Sequence, residues 1–397
     1  MRILIVHNQL WAHYKAIIFN ELQKIIRQNP ADELFVVQIA SVEKSRVNLS
    51  DSDLSIHQYP YKLLHEGTLE EVGTWTRISG VIKTIREFNP TVVNLTGYYD
   101  SASWAVLLYC KIKSIKTVLS NESTAGDHSR NNIKEFIKSL IIRQFDGFFN
   151  FGTLSKDYLL SLGGRPDQML VNLNCVDNVA LRRIYEKSVE NRKIEQQKLG
   201  LAPKNFIFVG RLIEFKNLFR FLEAFGVAQQ KTHQDWGVII LGDGALKSDL
   251  QDFITKKNIK KVSFQKGVSW QQVPEYLALS DVLVLPSYSE PWGLVVNEAM
   301  ACGLPVLVSE QCGCAIDLVR NGENGYTFQP ELLEEFSEKL LLFMGMKEES
   351  LKKMGAISEQ IIQEYSPENV GREMYKGFIS LRPPLWFDIR NSMFGKK

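Results

Sequence analysis

Short runs of aliphatic and aromatic residues alternate with longer stretches of helical period, and the alternation restarts midway along the 397-residue chain. In the first half the strand-like runs are Ile3 to Val6, Leu34 to Ile39, Thr91 to Leu95, Lys116 to Leu119 and Gly147 to Phe151. Between them lie patterns such as Tyr14 to Gln28, with Ile18, Leu22, Ile25 and Ile26 on one helical face. Strands interleaved with helices predict a parallel sheet covered on both faces. The charged stretch Asn178 to Asn205 lacks a strand signal and reads as an inter-domain connection. After it come "FIFVG", "GVIIL", "VSF", "DVLVLP" and "PVLVS", with helices centred near Phe221, Leu250, Tyr276, Val296 and Leu341. The prediction is an α/β chain of two facing, Rossmann-like, doubly wound domains, 1–185 and 190–365. A terminal helical segment within 366–397, strongest over Pro367 to Phe378, crosses back onto the first. Ligands of such sheets bind beyond the carboxyl ends of the strands, so the cleft between domains is the expected site.

Charge narrows the partners. With 47 Lys and Arg against 45 Asp and Glu the net charge is +2, without the concentrated basic surface of a nucleic-acid binder, and no GxxxxGK[ST] run is present. No uninterrupted apolar run approaches the roughly 18 residues of a membrane span. "MRILIVHNQLWAHYK" lacks the layout of a cleavable signal, so a cytoplasmic chain is expected. Cys110, Cys175, Cys302, Cys312 and Cys314 are odd in number, without paired zinc-type spacing, and are expected to stay thiols with no metal bound.

The chemistry-bearing residues cluster in the second half. "FVGRLIEFKN" is a strand ending at Gly210, followed by Arg211 and Lys216, a guanidinium and an ammonium able to clamp a diphosphate. Solvated surface charge is the plain alternative. "IILGDGAL" ends a second strand at Gly242 and Gly244, which permit close backbone approach or simply a tight turn. "SYSEPWGLVVNEAMACGLPV" sets Glu290 and Pro291 before a helix start expected near Trp292 and Gly293. That start places Glu298 roughly 9 Å along the axis. Amides at a helix start hold phosphate or sugar oxygens, and the two carboxylates accept from vicinal hydroxyls at either end of a ligand. In the alternative, Glu290 caps the helix and Glu298 is solvated.

These motifs, "GRLxxxK", "GDG", "F.KGVSWQQVPEYLALSDVLVLPS", "EPWGLVVNEAMACGLPVL" and "GENGYTF", resemble the donor half of the retaining glycosyltransferases of family 4, within Phe206 to Phe328. The resemblance implies the GT-B fold and a nucleoside-diphosphate sugar, UDP- or GDP-linked, as co-substrate with no cofactor. It implies that Arg211 and Lys216 bind the diphosphate and that the backbone of Lys266, Gly267 and Val268 holds the base. Glu290 would bind sugar hydroxyls, Trp292 to Leu294 would offer amides, and Glu298 would grip the ribose. Trp292 stands where phenylalanine is usual and Asp317 where glutamate is common. The glycine-rich loop often found after the first strand is replaced by "HNQLWAHY". The implied acceptor is a saccharide or a lipid-linked saccharide, in surface polysaccharide or glycan assembly.

Acceptor candidates are His7 and Asn8 after the first strand, Tyr14 and Lys15 at the next helix start, and Tyr98 in "TGYYD". "SNESTAGDHSR" adds Glu122, Asp127, His128 and Arg130, although a polar surface loop or a structural His7 fits equally. "SRNNIKEFIKSLIIRQF" gathers Ile133, Phe136, Ile137, Leu140 and Ile141 on one face, with Arg130, Lys134, Lys138 and Arg143 among its polar residues. It is either a helix packed on its sheet or a dock for an anionic membrane surface, the inner face for a cytoplasmic chain. The tail "RPPLWFDIRNSMFGKK" adds aromatics and Arg390, Lys396 and Lys397. Competing readings are a metal-dependent transferase through Asp51 and Asp53 of "SDSD", a GT-B nucleotide-sugar epimerase, and a non-catalytic sugar-nucleotide binding protein.

Overall fold

The computed structural model describes residues 1–44, 54–98, 100–126 and 131–382. Val, Ile and Phe favour extended backbone. Among the described residues they build two all-parallel sheets. The first comprises β1 (Arg2–Gln9), β2 (Glu33–Ala40), β3 (Tyr61–Leu63), β4 (Val92–Thr96), β5 (Lys116–Asn121), β6 (Gly147–Asn150) and β7 (Met169–Asn172), in the order β3-β2-β1-β4-β5-β6-β7. The second comprises β8 (Lys204–Val209), β9 (Trp236–Leu241), β10 (Val262–Gln265), β11 (Val282–Leu285), β12 (Val306–Ser309) and β13 (Gly325–Phe328), ordered β10-β9-β8-β11-β12-β13. Winding reverses between β1 and β4 and between β8 and β11. At those two points the carboxyl ends of the strands leave a crevice, because neighbouring crossovers depart in opposite directions.

The pleat sorts β1 between two cores. Ile3 and Ile5 face one cluster with Ile18, Phe19 and Leu22, while Leu4 and Val6 face another with Val37, Val93 and Leu119. Every residue of β9 is buried, as expected for a strand covered on both faces.

The helix Pro367–Ser380 opens with Pro at its first position and the Ser366 hydroxyl accepting from Asn369 N–H. Its Val370, Met374 and Phe378, four residues apart, are buried in the Ile3/Ile5 cluster of the first unit. Phe378 lies edge-on to Phe149 with ring centroids 5.0 Å apart. Asp32 fastens the same end, accepting from the Met1 amino group, Arg382 and the Tyr375 hydroxyl, the last at 2.6 Å. Residues 383–397 lie outside the described residues.

The stretch read as an inter-domain connection is folded. Asn178–Val189 and Arg192–Lys198 are helices, and Leu181 is buried in the core of the second unit. Their charges find partners there: Arg182 donates to the Cys302 carbonyl at 3.1 Å, and Arg192 pairs with Asp281 at 2.6 Å. Charge density in the sequence concealed an amphipathic pair, and the passage between units falls before Asn178. All five cysteines are free and buried.

Phe378→Ala should cost about 3–5 kcal/mol by leaving a cavity against Phe149 in the Ile3/Ile5 cluster. Denaturant unfolding measures it, and an effect below about 1 kcal/mol would contradict this packing.

Candidate active site

Loop packing fixes the cations. A Cβ on Gly242 would lie 2.0 Å from the Gly210 carbonyl oxygen, and one on Gly244 would lie 2.4 Å from that of Leu212. The exits of β8 and β9 therefore lie backbone against backbone, joined by Gly210 N–H to Leu241 O and Leu212 N–H to Asp243 O, both 3.0 Å. Gly242 and Gly244 are accounted for by this approach of loop to loop. Arg211 is exposed beyond it. Lys216 closes a single tight turn, after which Asn217 takes a left-handed φ of 56°. The Asn217 side-chain amide donates to the Pro286 and Pro330 carbonyls, each at 3.1 Å, tying the Lys216 turn to the exit of β11. Lys216 consequently meets Glu290 in an ion pair, with both side chains less than one-fifth exposed.

Glu290 is held from behind by the Cys312-Gly313-Cys314 loop. Gly313 N–H donates to the Glu290 carbonyl at 2.8 Å and Cys314 N–H to that of Trp292 at 3.1 Å. A Cβ on Gly313 would sit 1.9 Å from the Pro291 carbonyl oxygen, so the spacing of the two cysteines records a backbone contact.

The helix begins later than expected. Gly293, at φ 101°, is its N-cap and Leu294–Ala301 are helical. Glu298 lies about 6 Å along the axis from Leu294, in the second turn. Burial pushes the Glu298 carboxyl up to about 8, and no protein hydrogen bond or ion pair to it forms among the described residues.

The expectation for Trp292 also needs correction on one point: it precedes the helix. Its side chain is buried, its indole N–H donates to Asn297 at 2.8 Å, and its ring fills the space above Gly152 of the first unit. Pro291 is exposed and Leu294 half-buried. Beyond β10, Lys266 and Gly267 are exposed and Val268 is half-buried. Gly267 N–H donates to Asp243 at 2.8 Å, a bond that with Lys247 holds the Asp243 carboxyl below its usual range.

In the first unit the structure brings three acceptor candidates together. Lys15 is buried, 2.9 Å from Glu122, with its ammonium 3.5 Å from the Phe151 ring centroid. His7 shares a small cavity with Lys15 and bonds Gln38 at 3.0 Å. Burial holds the His7 imidazole down to about 4, so it is neutral near pH 7. Asn8 is half-buried at the end of β1 and Tyr14 half-buried at the following helix. Tyr98, only 2% exposed, belongs to the core: the aromatic ring of the "TGYYD" turn collapses inward and does not line the cleft. Asp51, Asp53, Asp127, His128 and Arg130 lie outside the described residues.

Sequence reasoning missed what joins the units. Asp317 accepts from Thr153 N–H at 2.9 Å and from its hydroxyl at 2.6 Å, placing a carboxylate at the start of helix Thr153–Ser161. Asn297 donates to the Asn174 carbonyl at 3.1 Å, and His13 stacks on Trp270 at 4.8 Å between ring centroids. The unusual Asp317 was the one visible signal.

Two all-parallel sheets of this topology, whose exit loops meet through His13 on Trp270 and Thr153 on Asp317, define the GT-B class of fold. Residues 189–360, in the second unit, match the family model of the glycosyl transferases group 1. An uncharacterized glycosyltransferase of Methanocaldococcus jannaschii is 25% identical over 222 residues, 56% of this chain and 59% of its own. The Escherichia coli UDP-Gal:alpha-D-GlcNAc-diphosphoundecaprenol alpha-1,3-galactosyltransferase is 33% identical over 162 residues, 40% of this chain and 41% of its own. The matches thus span about half the length of these curated relatives. The crystal structure of Anabaena HepE in complex with UDP and glucose superposes with a TM-score of 0.73 at 20% identity, covering 96% of this chain and all of that one. The fold is shared along nearly the whole chain, whereas the family model matches residues 189–360.

The neutral His7 makes stability pH-dependent. Its folded value lies below the unfolded 6.5, so its contribution is complete above pH 6.5 and is lost as pH falls toward 4. His7→Gln should remove about 3 kcal/mol of acid sensitivity, read as a smaller difference between unfolding free energies at pH 7 and pH 4 than in the unsubstituted chain.

Proposed function

We infer that the chain is a glycosyltransferase that moves a hexose from a nucleoside-diphosphate donor to a hydroxyl of a saccharide or lipid-linked acceptor, with retention at the anomeric carbon and without a metal. One observation carries the reading. The Lys216–Glu290 pair and the partnerless carboxyl of Glu298 stand at the exits of adjacent parallel strands, in a domain of the group 1 family. A diphosphate entering between them draws Lys216 from Glu290 and frees that carboxylate for sugar hydroxyls. Ribose hydroxyls donate to Glu298.

Charge stabilisation supplies the catalysis. As the bond from the anomeric carbon to the diphosphate oxygen breaks, Arg211 and Lys216 neutralise the leaving group. The acceptor oxygen bonds to the same face of that carbon, and its proton passes to the departing diphosphate. Because Arg211 and Lys216 carry the compensating charge, no divalent ion is required. The names of the Escherichia coli relative and of HepE's ligands favour a uridine donor, and the former a diphosphate-linked lipid acceptor. An epimerase or a binding protein would use the same donor cradle; transfer to an acceptor separates them.

A thermal-unfolding panel of UDP- and GDP-sugars should show stabilisation by one of them, and Lys216→Ala should lower turnover at saturating donor by at least about 100-fold. Retained turnover in that variant, or activity abolished by excess chelator, would count against the mechanism.

Donor binding should also depend on pH through Glu298. Ribose hydroxyls favour the ionised carboxylate, so affinity for UDP strengthens as pH rises through about 8, and Glu298→Gln flattens the profile. Calorimetric titration across that range measures both.

A further inference from the structure

The second sheet carries a pocket at the edge opposite the donor cradle. Lys204 opens β8, Asp281 immediately precedes β11 and Pro305 immediately precedes β12, and all three line it. The pocket therefore lies at the amino ends of strands whose carboxyl ends lead to Lys216 and Glu290. Its volume is about 600 Å³, the size of a small-molecule site. Helices Asn178–Val189 and Arg192–Lys198 contribute Tyr185 and Gln196 to its lining, and helix Glu348–Ile362 contributes Leu351.

Its surface combines apolar side chains with an excess of positive charge. Leu304, Pro305 and Leu351 are buried residues that line it. Arg192, Lys193, Lys204 and Lys352 stand against two acids, Asp281 and Glu348. Arg192 pairs with Asp281 and Lys352 with Glu348, each at 2.6 Å. Lys193 and Lys204 make no ion pair among the described residues, so two positive charges are left over. Lys352, and beyond it Lys204 and Arg192, hold the Glu348 carboxyl below its usual range, a sign of the local field. The Tyr185 hydroxyl makes no protein hydrogen bond among the described residues and can donate to a ligand.

One helix runs from this pocket to the donor cradle. Leu294–Ala301 presents Glu298 and is capped by Cys302, and the next residues, Gly303 and Leu304, line the pocket. That turn is bonded back onto the helix. Cys302 N–H donates to the Glu298 carbonyl at 3.1 Å, and Leu304 N–H to the Ala299 carbonyl at 3.0 Å. A molecule pressing on Leu304 therefore loads the backbone that positions the Glu298 carboxyl.

We propose that this pocket is a second ligand site, for a small phosphate monoester with a compact apolar body, and that its occupant alters the affinity of the donor cradle. Such an ester carries about two negative charges near pH 7, matching the two unpaired ammonium groups, whereas a carboxylate would leave one of them unmatched. The Tyr185 hydroxyl donates to a phosphate oxygen, and the apolar body covers Leu304, Pro305 and Leu351. The site itself does not rest on the transfer chemistry, since none of its residues belongs to the donor cradle; its coupling rests on the placing of the donor at Glu298.

Calorimetric titration of the full-length chain with phenyl phosphate tests it, with inorganic phosphate as the probe lacking an apolar body. Phenyl phosphate should bind at least about tenfold tighter than inorganic phosphate. Lys193→Ala with Lys204→Ala should weaken it at least about tenfold at unchanged melting temperature, and Lys193→Ala alone, at an exposed helix position, about threefold. Lys216→Ala should leave it unchanged. The affinity for UDP should differ at least about fivefold with and without saturating phenyl phosphate in the unsubstituted chain but not in the double variant. Equal affinity for the two phosphates, undiminished binding in both lysine variants, or binding lost in Lys216→Ala would overturn the site. A UDP affinity that is unchanged, or that changes equally in the double variant, would overturn the coupling. A chain that binds phenyl phosphate as expected but no UDP would overturn the donor reading and uphold the site.

Discussion

The ion pair between Lys216 and Glu290 sets terms that the surrounding chain must meet. A partly buried charge is costly unless its partner is held in place, so the two loops that carry the pair cannot be slack. The left-handed Asn217 cross-links the Lys216 turn to the exit of β11, and the Cys312-Gly313-Cys314 loop supports Glu290 from behind. Parallel sheets supply the frame. Because every strand of a sheet points the same way, the exits of β8, β9 and β11 arrive at one edge, and residues from three separate loops come within reach of one another.

Contacts between the units run through the elements that build this cradle. Trp292, one residue before the N-cap of the Glu298 helix, rests on Gly152 of the first unit, and Asn297, adjacent to Glu298, bonds the Asn174 carbonyl. Asp317 extends the contact to Thr153. A relative movement of the two sheets would therefore pull directly on the helix that presents Glu298. The terminal helix adds a second tether, since Phe378 and Met374 belong to the core of the first sheet although their chain leaves the second.

Strand and helix alternation was readable because buried parallel strands are short apolar runs, and β1, β2, β4, β5 and β6 fall where such runs fall. The missing strands, β3, β7 and β13, lie at sheet edges and are only three or four residues long, too short for alternation to separate them from the loops beside them. The Asn178–Lys198 helices were masked by charges whose partners lie across the second unit. The helix start after Glu290 was placed two residues early because Trp292 reads as a helix residue, whereas Gly293 at positive φ fixes the boundary.

The sequence alone determined the fold class and the residue types of the donor cradle, since apolar periodicity and the spacing of glycines and charges are local properties. Tertiary structure decided which of those residues meet. Lys216 pairs with Glu290 across 74 positions, Lys15 with Glu122, and Thr153 with Asp317, while Tyr98 is withdrawn into the core. It also decided which face of helix Asn132–Ile142 is exposed, because periodicity defines an apolar face but only the packing of Glu135 and Lys138 on Tyr158 determines where that face points.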